Sequence, residues 1–227
     1  MATSAHASSP LRAELTALIT AGAKDLLEHP YYRGLLDGTL PAESLSHLCR
    51  QDAHHLLPTY ARALSRCAAT AQRNEHARLL CRMAHISFDS SAGSAAGFPA
   101  MAEKFGLPDG AAGAPAIAGA TLGYVHFLTA ATTGPLAAGL GATLPSAWLY
   151  QLVTDELIQL RKPETRYHEL IEIMYPGKEY VALIEEFLTL IDEHEADSGS
   201  AEVLLEQLGR AIAYEYDFVE AAWRAAA

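Results

Sequence analysis

Two short stretches set carboxylates among apolar neighbours. Gln51-Asp-Ala-His-His-Leu-Leu57 puts Asp52 between Leu48 and Leu56/Leu57. His55 lies three positions on, on the same helix face, and Cys49 stands one turn before. Ala213-Tyr-Glu-Tyr-Asp-Phe-Val-Glu220 places Glu215 between two tyrosines. There it aligns with Phe218 and Val219 on the apolar side of a helix. A carboxyl held on a core face loses hydration and its pKa rises, the condition for a general acid or base near neutral pH. His55 can add a proton shuttle, since imidazole titrates in the same range. Both carboxyls also admit a structural reading: a paired aspartate at a helix junction, and a glutamate bonded to tyrosine or reaching solvent.

Ser146 lies in Leu144-Pro-Ser-Ala-Trp-Leu-Tyr150, just inside an expected helix start. Free amides there can steady an anion or a nucleophile, though Pro-Ser at such a point also reads as a plain cap. Ten histidines raise the question of metal. Asp52/His55 and His85/Asp89 have ligand-like spacing, and Glu215 adds another carboxylate. A dinuclear carboxylate site wants inward Glu-x-x-His pairs from two helices, and none is evident, so no metal is expected. No G-x-S-x-G elbow, phosphate loop or dinucleotide fingerprint occurs, and no segment calls for a cofactor.

These groups must be positioned by helices. The chain has 227 residues, 50% hydrophobic and only 19% charged, with a net charge of −11. Such a chain can bury a core and suits one domain, expected over 1–227 with residues 1–9 as a flexible tail. Its acidity argues against a nucleic-acid partner or an anionic membrane surface. Three cysteines, none in a C-x-x-C pair, make no disulfide framework or zinc ribbon. No secretory leader or bilayer-length apolar stretch is visible, so a cytoplasmic location is expected.

Apolar residues recur at helical spacing nearly throughout, with no Val/Ile/Thr alternation for a strand. The expectation is an all-α bundle of about eight helices. Helices are expected from Pro10 to His29-Pro30, from Pro41 to about Ala71, and from Asn74 toward Phe105. Others follow a loop at 107–115, at about 118–133, 144–161, 164–174, 179–195 and 200–225. The third is odd in its middle: Ser87 to Pro99 is a run of small residues with two glycines. It reads either as a helix junction or close helix contact, or as a wall cut back to enlarge a cavity.

Taken in order, several segments resemble the TenA family of thiaminase II-like proteins. They are His29-Pro30, Asp37-Gly-Thr-Leu40, Gln51-Asp52, Leu144-Pro-Ser-Ala-Trp-Leu-Tyr150, Met174-Tyr-Pro-Gly177 and Tyr214-Glu-Tyr-Asp-Phe218. The resemblance implies a heme-oxygenase-like all-α fold and a homotetramer or homodimer. It also implies acidic roles for Asp52 and Glu215 on a small-molecule substrate. Tyr124 and Tyr175 match pocket tyrosines, and Phe88, Tyr216 and Phe218 are candidate substrate contacts.

Family members that hydrolyse thiamine relatives use a cysteine in a Leu-Pro-Cys segment, where this chain has Ser146. A pocket tyrosine three residues after the aspartate is replaced by His55. These departures shift the expected function toward acid/base chemistry, such as cyclisation, isomerisation or elimination, on a small nitrogen-containing substrate. Aminopyrimidine hydrolysis in thiamin salvage without the cysteine, and non-catalytic binding of a small molecule, are the two alternatives.

Overall fold

Ser9 starts the first helix. Its hydroxyl accepts the Arg12 amide at 3.1 Å and donates to Asp192 at 2.6 Å, and Pro10 follows at the position that tolerates a missing N–H. The computed structural model describes residues 9–108 and 113–226. Residues 1–8 of the expected tail lie outside the described residues.

Helix α1 (Pro10–Glu28) ends because Pro30 disfavours a helical His29. The His29 ring then caps α2 (Pro30–Asp37): Nδ1 accepts the Tyr31 amide at 3.1 Å, so Nε2 carries the proton and donates to Glu220 at 2.8 Å. Gly38, at φ 82°, closes α2 in the left-handed conformation that glycine adopts without strain. The long second helix expected from Pro41 is α3 (Ala42–Gln51), a π turn (Asp52–Leu56) and α4 (Leu57–Thr70). Then come α5 (Asn74–Phe105), α6 (Gly119–Ala131), α7 (Leu136–Leu160), α8 (His168–Met174), α9 (Lys178–Ser198) and α10 (Ala201–Arg224). The described residues thus form ten α-helices where about eight were expected. The His29-Pro30 break and the π turn account for the difference.

Helix α7 is the central post, buried on nearly every side from Ala137 to Leu149. Two glycines let neighbours approach it. A Cβ at Gly139 would stand 2.5 Å from Cys67 Sγ of α4, and one at Gly141 would stand 2.2 Å from the Leu204 carbonyl of α10. One contiguous apolar core runs from Leu11 to Ala222 around this post.

Two expectations need correction. Helix α7 begins at Leu136, not near Leu144, so Pro145 is internal and Ser146 has no helix-start amides around it. Helix α5 runs unbroken through Pro99. Its small residues Ala92, Gly93, Ser94, Ala96 and Gly97 are not buried, and a Cβ at either glycine would meet nothing within 4 Å. These five residues therefore line no cavity, while Ser87 and Ser91 of the same run are buried. No described helix is long and apolar enough to cross a membrane.

Candidate active site

The π turn opens the site. Its wide hydrogen bond runs from the Leu57 amide to the Asp52 carbonyl, and Ser91 of α5 donates to the Ala53 carbonyl at 2.8 Å. Wide turns of this kind insert a residue into a helix and re-aim the side chains that follow. Just before it, the Gln51 side chain grips the entry to α6 with both ends. Its amide donates to the Ala116 carbonyl at 2.8 Å, and its oxygen accepts the Ala118 amide at 3.0 Å. His55 adds a third tie through Nε2, 2.9 Å from the Pro115 carbonyl. These ties set the start of the helix that carries Tyr124.

Tyr124 joins three helices. Its hydroxyl donates to Glu215 Oε1 of α10 at 2.6 Å and stands 2.8 Å from Ser146 Oγ of α7. A carboxylate only accepts, so the Tyr124 proton points at Glu215 and Ser146 donates to the phenol oxygen. Tyr214 stacks on the Tyr124 ring at 5.4 Å between centroids and 8° between planes. That contact, with Phe127 behind it at 4.9 Å from Tyr214, holds the phenol in place.

Asp52 and Glu215 face each other closely enough for their charges to interact. Both are half-buried by surface area, yet dense protein surrounds them, as befits side chains lining a recess. Lost hydration pushes the Asp52 carboxyl up to about 7, and the charge of Glu215 pushes in the same direction. Glu215 is also raised by burial, but the Tyr124 hydroxyl, backed by the Ser146 proton on its oxygen, favours its charged form and pulls it back. Among the described residues Asp52 has no such donor. The Cys49 thiol, beside Asp52, is driven up to about 12 by burial and by that neighbour, which leaves it a poor nucleophile.

Tyrosines fill the surroundings. Tyr32 and Tyr180 are raised by burial and by the charge of Glu215, and Tyr150 is pushed up to about 12 by burial and by Asp52. The Tyr150 and Tyr180 rings meet edge-on at 6.1 Å, and the Tyr150 hydroxyl donates to the Met174 carbonyl next to Tyr175. Tyr60 of α4, 5% exposed, senses Tyr180 and Glu215.

Of the residues singled out in sequence, Asp52, Glu215, Ser146 and Tyr124 come together. Tyr175, half-buried, follows the end of α8. His55 turns to the Pro115 carbonyl. Phe88 is 39% exposed with the Arg62 guanidinium over its ring at 5.7 Å, and Tyr216 is 41% exposed with its edge toward His29. Phe218 is packed into the core. Cys49 was noted beside Asp52, but Tyr32, Tyr60, Tyr150 and Tyr180 went unassigned. The one available signal was ten tyrosines against six phenylalanines, a surplus of aromatic hydroxyls in an apolar chain. No three His, Cys, Asp or Glu side chains gather to hold a metal ion among the described residues.

A carboxyl pair between α10 and a π turn, with a tyrosine bridging to α7, can be set against known proteins. The model of the TENA/THI-4/PQQC family matches residues 18–225. The chain belongs to this family. The thiamine biosynthesis multifunctional protein ThiED of Corynebacterium efficiens is 27% identical over 205 residues, 88% of this chain. The chain spans 26% of that protein's length. Among solved structures, a TenA homologue from P. horikoshii superposes with a TM-score of 0.78 at 22% identity, covering 95% of this chain and 99% of that one. A TenA-like thiaminase, so described as putative, from Sulfolobus solfataricus gives 0.72 at 19% identity over 93% and 95%. These likenesses establish the TenA-like helical fold, and the TENA/THI-4/PQQC assignment rests on the family match across nearly the whole chain.

Proposed function

We propose that this TENA/THI-4/PQQC-family chain is an enzyme that moves protons on a small nitrogen-containing ring compound. Asp52 acts as the neutral acid and Glu215 as the ionised base. The observation that carries this reading is the asymmetry of the pair. The Tyr124 hydroxyl, with Ser146 behind it, supports the charge of Glu215, while Asp52 has burial and the charge of Glu215 against ionisation. Two carboxyls whose surroundings drive their protonation apart are an acid and a base at one pH. Tyrosine rings around them offer flat faces and hydroxyls to a planar substrate.

A second reading is favoured by the match to the thiamine biosynthesis protein: hydrolysis of an aminopyrimidine, with Ser146 where the family resemblance sets a cysteine. A serine needs a base, and the Ser146–Tyr124–Glu215 chain provides a route for its proton. The deciding experiment is turnover of a panel of aminopyrimidines and related amines by the wild type, Ser146→Ala, Asp52→Asn and Glu215→Gln. Turnover that survives Ser146→Ala and is lost in both carboxyl variants supports acid/base chemistry. Hydrolysis lost in Ser146→Ala supports the second reading. Binding of panel members without turnover makes the protein a small-molecule binder and ends both.

A further inference from the structure

The wide turn at Asp52–Leu56 leaves one backbone group short of a helical partner. The Leu57 amide reaches back to the Asp52 carbonyl, so it does not serve Ala53, its partner in a regular helix. In the wide register the next donor would come from residue 58, and Pro58 has no N–H. The sequence thus orphans the Ala53 carbonyl. Ala53 is buried, and a buried carbonyl must find its donor inside the protein.

Ser91 of α5 is that donor. Its hydroxyl, from 38 residues further along the chain, reaches the Ala53 carbonyl at 2.8 Å. Ser91 is buried too. A helical serine can instead turn its hydroxyl back to the carbonyl four residues before it, as Ser87 does to Met83 at 2.8 Å. Ser91, one turn on, leaves its own helix and crosses to the π turn.

Two registers compete for this stretch. Closed to the α register, the turn would give the Leu57 amide to Ala53, and Pro58 would leave the His54 carbonyl short instead. His54 is half-buried and nearer solvent than Ala53. The wide register therefore depends on an internal donor, and the α register does not. Passing from one to the other turns Asp52 about 100° around the axis relative to α4, away from Glu215.

We propose that Ser91 is a positioning residue: its bond to the Ala53 carbonyl holds the wide register and so keeps the Asp52 carboxyl facing Glu215. The placement of Asp52 follows from the geometry alone. Its consequence for turnover rests on the reading of Asp52 as the acid of the site.

Carbon-13 NMR titration of the Asp52 carboxyl in the free protein reads the placement directly. The wild-type midpoint is expected at about 7. Ser91→Ala is expected to lower it by about one pH unit or more, as the carboxyl turns from Glu215 and gains water. Ser87→Ala, which removes a buried hydroxyl bonded within α5, is expected to leave it unmoved. If Ser91→Ala does not fold, Ser91→Cys takes its place with the same readout, its thiol a weak donor in the same space. A variant that unfolds at lower temperature but keeps the Asp52 midpoint shows that the hydroxyl is structural only, and overturns the proposal. In turnover of the aminopyrimidine and amine panel, Ser91→Ala is expected to lose about tenfold or more in kcat/KM. A lowered midpoint with turnover unimpaired supports the Ser91 assignment and overturns the acid role of Asp52.

Discussion

Tyr124 and Glu215, 91 residues apart in sequence, are joined by a 2.6 Å hydrogen bond in which the phenol is the donor. With Ser146 as donor to the same phenol, the Tyr124 oxygen both gives and receives within one recess. The bond favours the charged form of Glu215 against the burial that raises its pKa. Hydrogen bonds to a carboxylate favour its ionised form, and of the pair only Glu215 receives one among the described residues.

Removing the phenol proton should therefore change the titration of Glu215. Tyr124→Phe is expected to raise its pKa further and to destabilise the fold by about 1.5–3 kcal/mol, the range for a hydrogen bond to a charged group. Ser146→Ala, which removes the donor behind the Tyr124 oxygen, should shift Glu215 the same way by a smaller amount. Carbon-13 NMR of the glutamate carboxyls checks both. An unchanged Glu215 titration in Tyr124→Phe would break the link between this bond and the ionisation of the pair.

Asp52 makes a stability prediction with a definite sign. Its pKa is near 3.8 when unfolded and about 7 in the fold. Across that window the folded chain holds the extra proton, so stability falls as pH rises from about 4 to 7 and the penalty is full above 7. Glu215, also raised, acts in the same direction. Asp52→Asn removes the charge and should stabilise the protein at pH 8 by up to about 4 kcal/mol. At pH 4 the gain should vanish. Unfolding temperatures of the wild type and Asp52→Asn across pH 4–8 decide this, and parallel curves would refute it.

The acid/base assignment adds a pH profile. If Asp52 must be protonated, kcat/KM should fall above about pH 7. In Glu215→Gln the facing charge is gone, so the Asp52 carboxyl should titrate at lower pH in a carbon-13 NMR titration. An Asp52 value indifferent to Glu215→Gln would show that burial alone sets it.

The helical class was legible because apolar spacing survives in nearly every segment, and the carboxyls because each sits among apolar neighbours. What was hidden follows from three physical causes. Helix α7 is small and apolar on all sides around Pro145, so periodicity has no phase there, and Pro145 reads as a start although the helix begins at Leu136. The π turn keeps ordinary helical composition, so nothing in Asp52–Leu56 announces the extra residue that re-aims the side chains after it. The small residues of α5 were ambiguous between inside and outside, because glycine and alanine are tolerated on either face. Only Ser91, reaching the Ala53 carbonyl, ties that run to the site.

Gln51 gives a prediction about a residue beside the site rather than in it. Its two hydrogen bonds hold the Ala116–Ala118 backbone that leads into α6. Gln51→Ala leaves a carbonyl and an amide without those partners and should cost about 1–3 kcal/mol. Hydrogen exchange should quicken at Ala118 and the first turn of α6. Exchange unchanged there would mean that other contacts hold the segment.

Gly141 and Gly209 provide a paired test of how α10 is seated. A Cβ at Gly141 would stand 2.2 Å from the Leu204 carbonyl oxygen and 3.0 Å from its carbon, and both are backbone atoms. Neither can rotate away, so Gly141→Ala must push α10 off α7. The overpacking costs about 1–3 kcal/mol and should outweigh the gain of about 1 kcal/mol that alanine brings to a helix interior. Because α7 carries Ser146 and α10 carries Glu215, the same displacement should loosen the Ser146–Tyr124–Glu215 chain and lower activity. At Gly209, also on α10, an added Cβ meets nothing within 4 Å. Gly209→Ala should therefore stabilise by about 0.5–1 kcal/mol and leave activity intact. Unfolding temperatures and turnover of the two variants, measured together, separate the steric role of Gly141 from any general effect of glycine in these helices. Equal stabilisation by both substitutions would show that the α7–α10 approach is not fixed at Leu204.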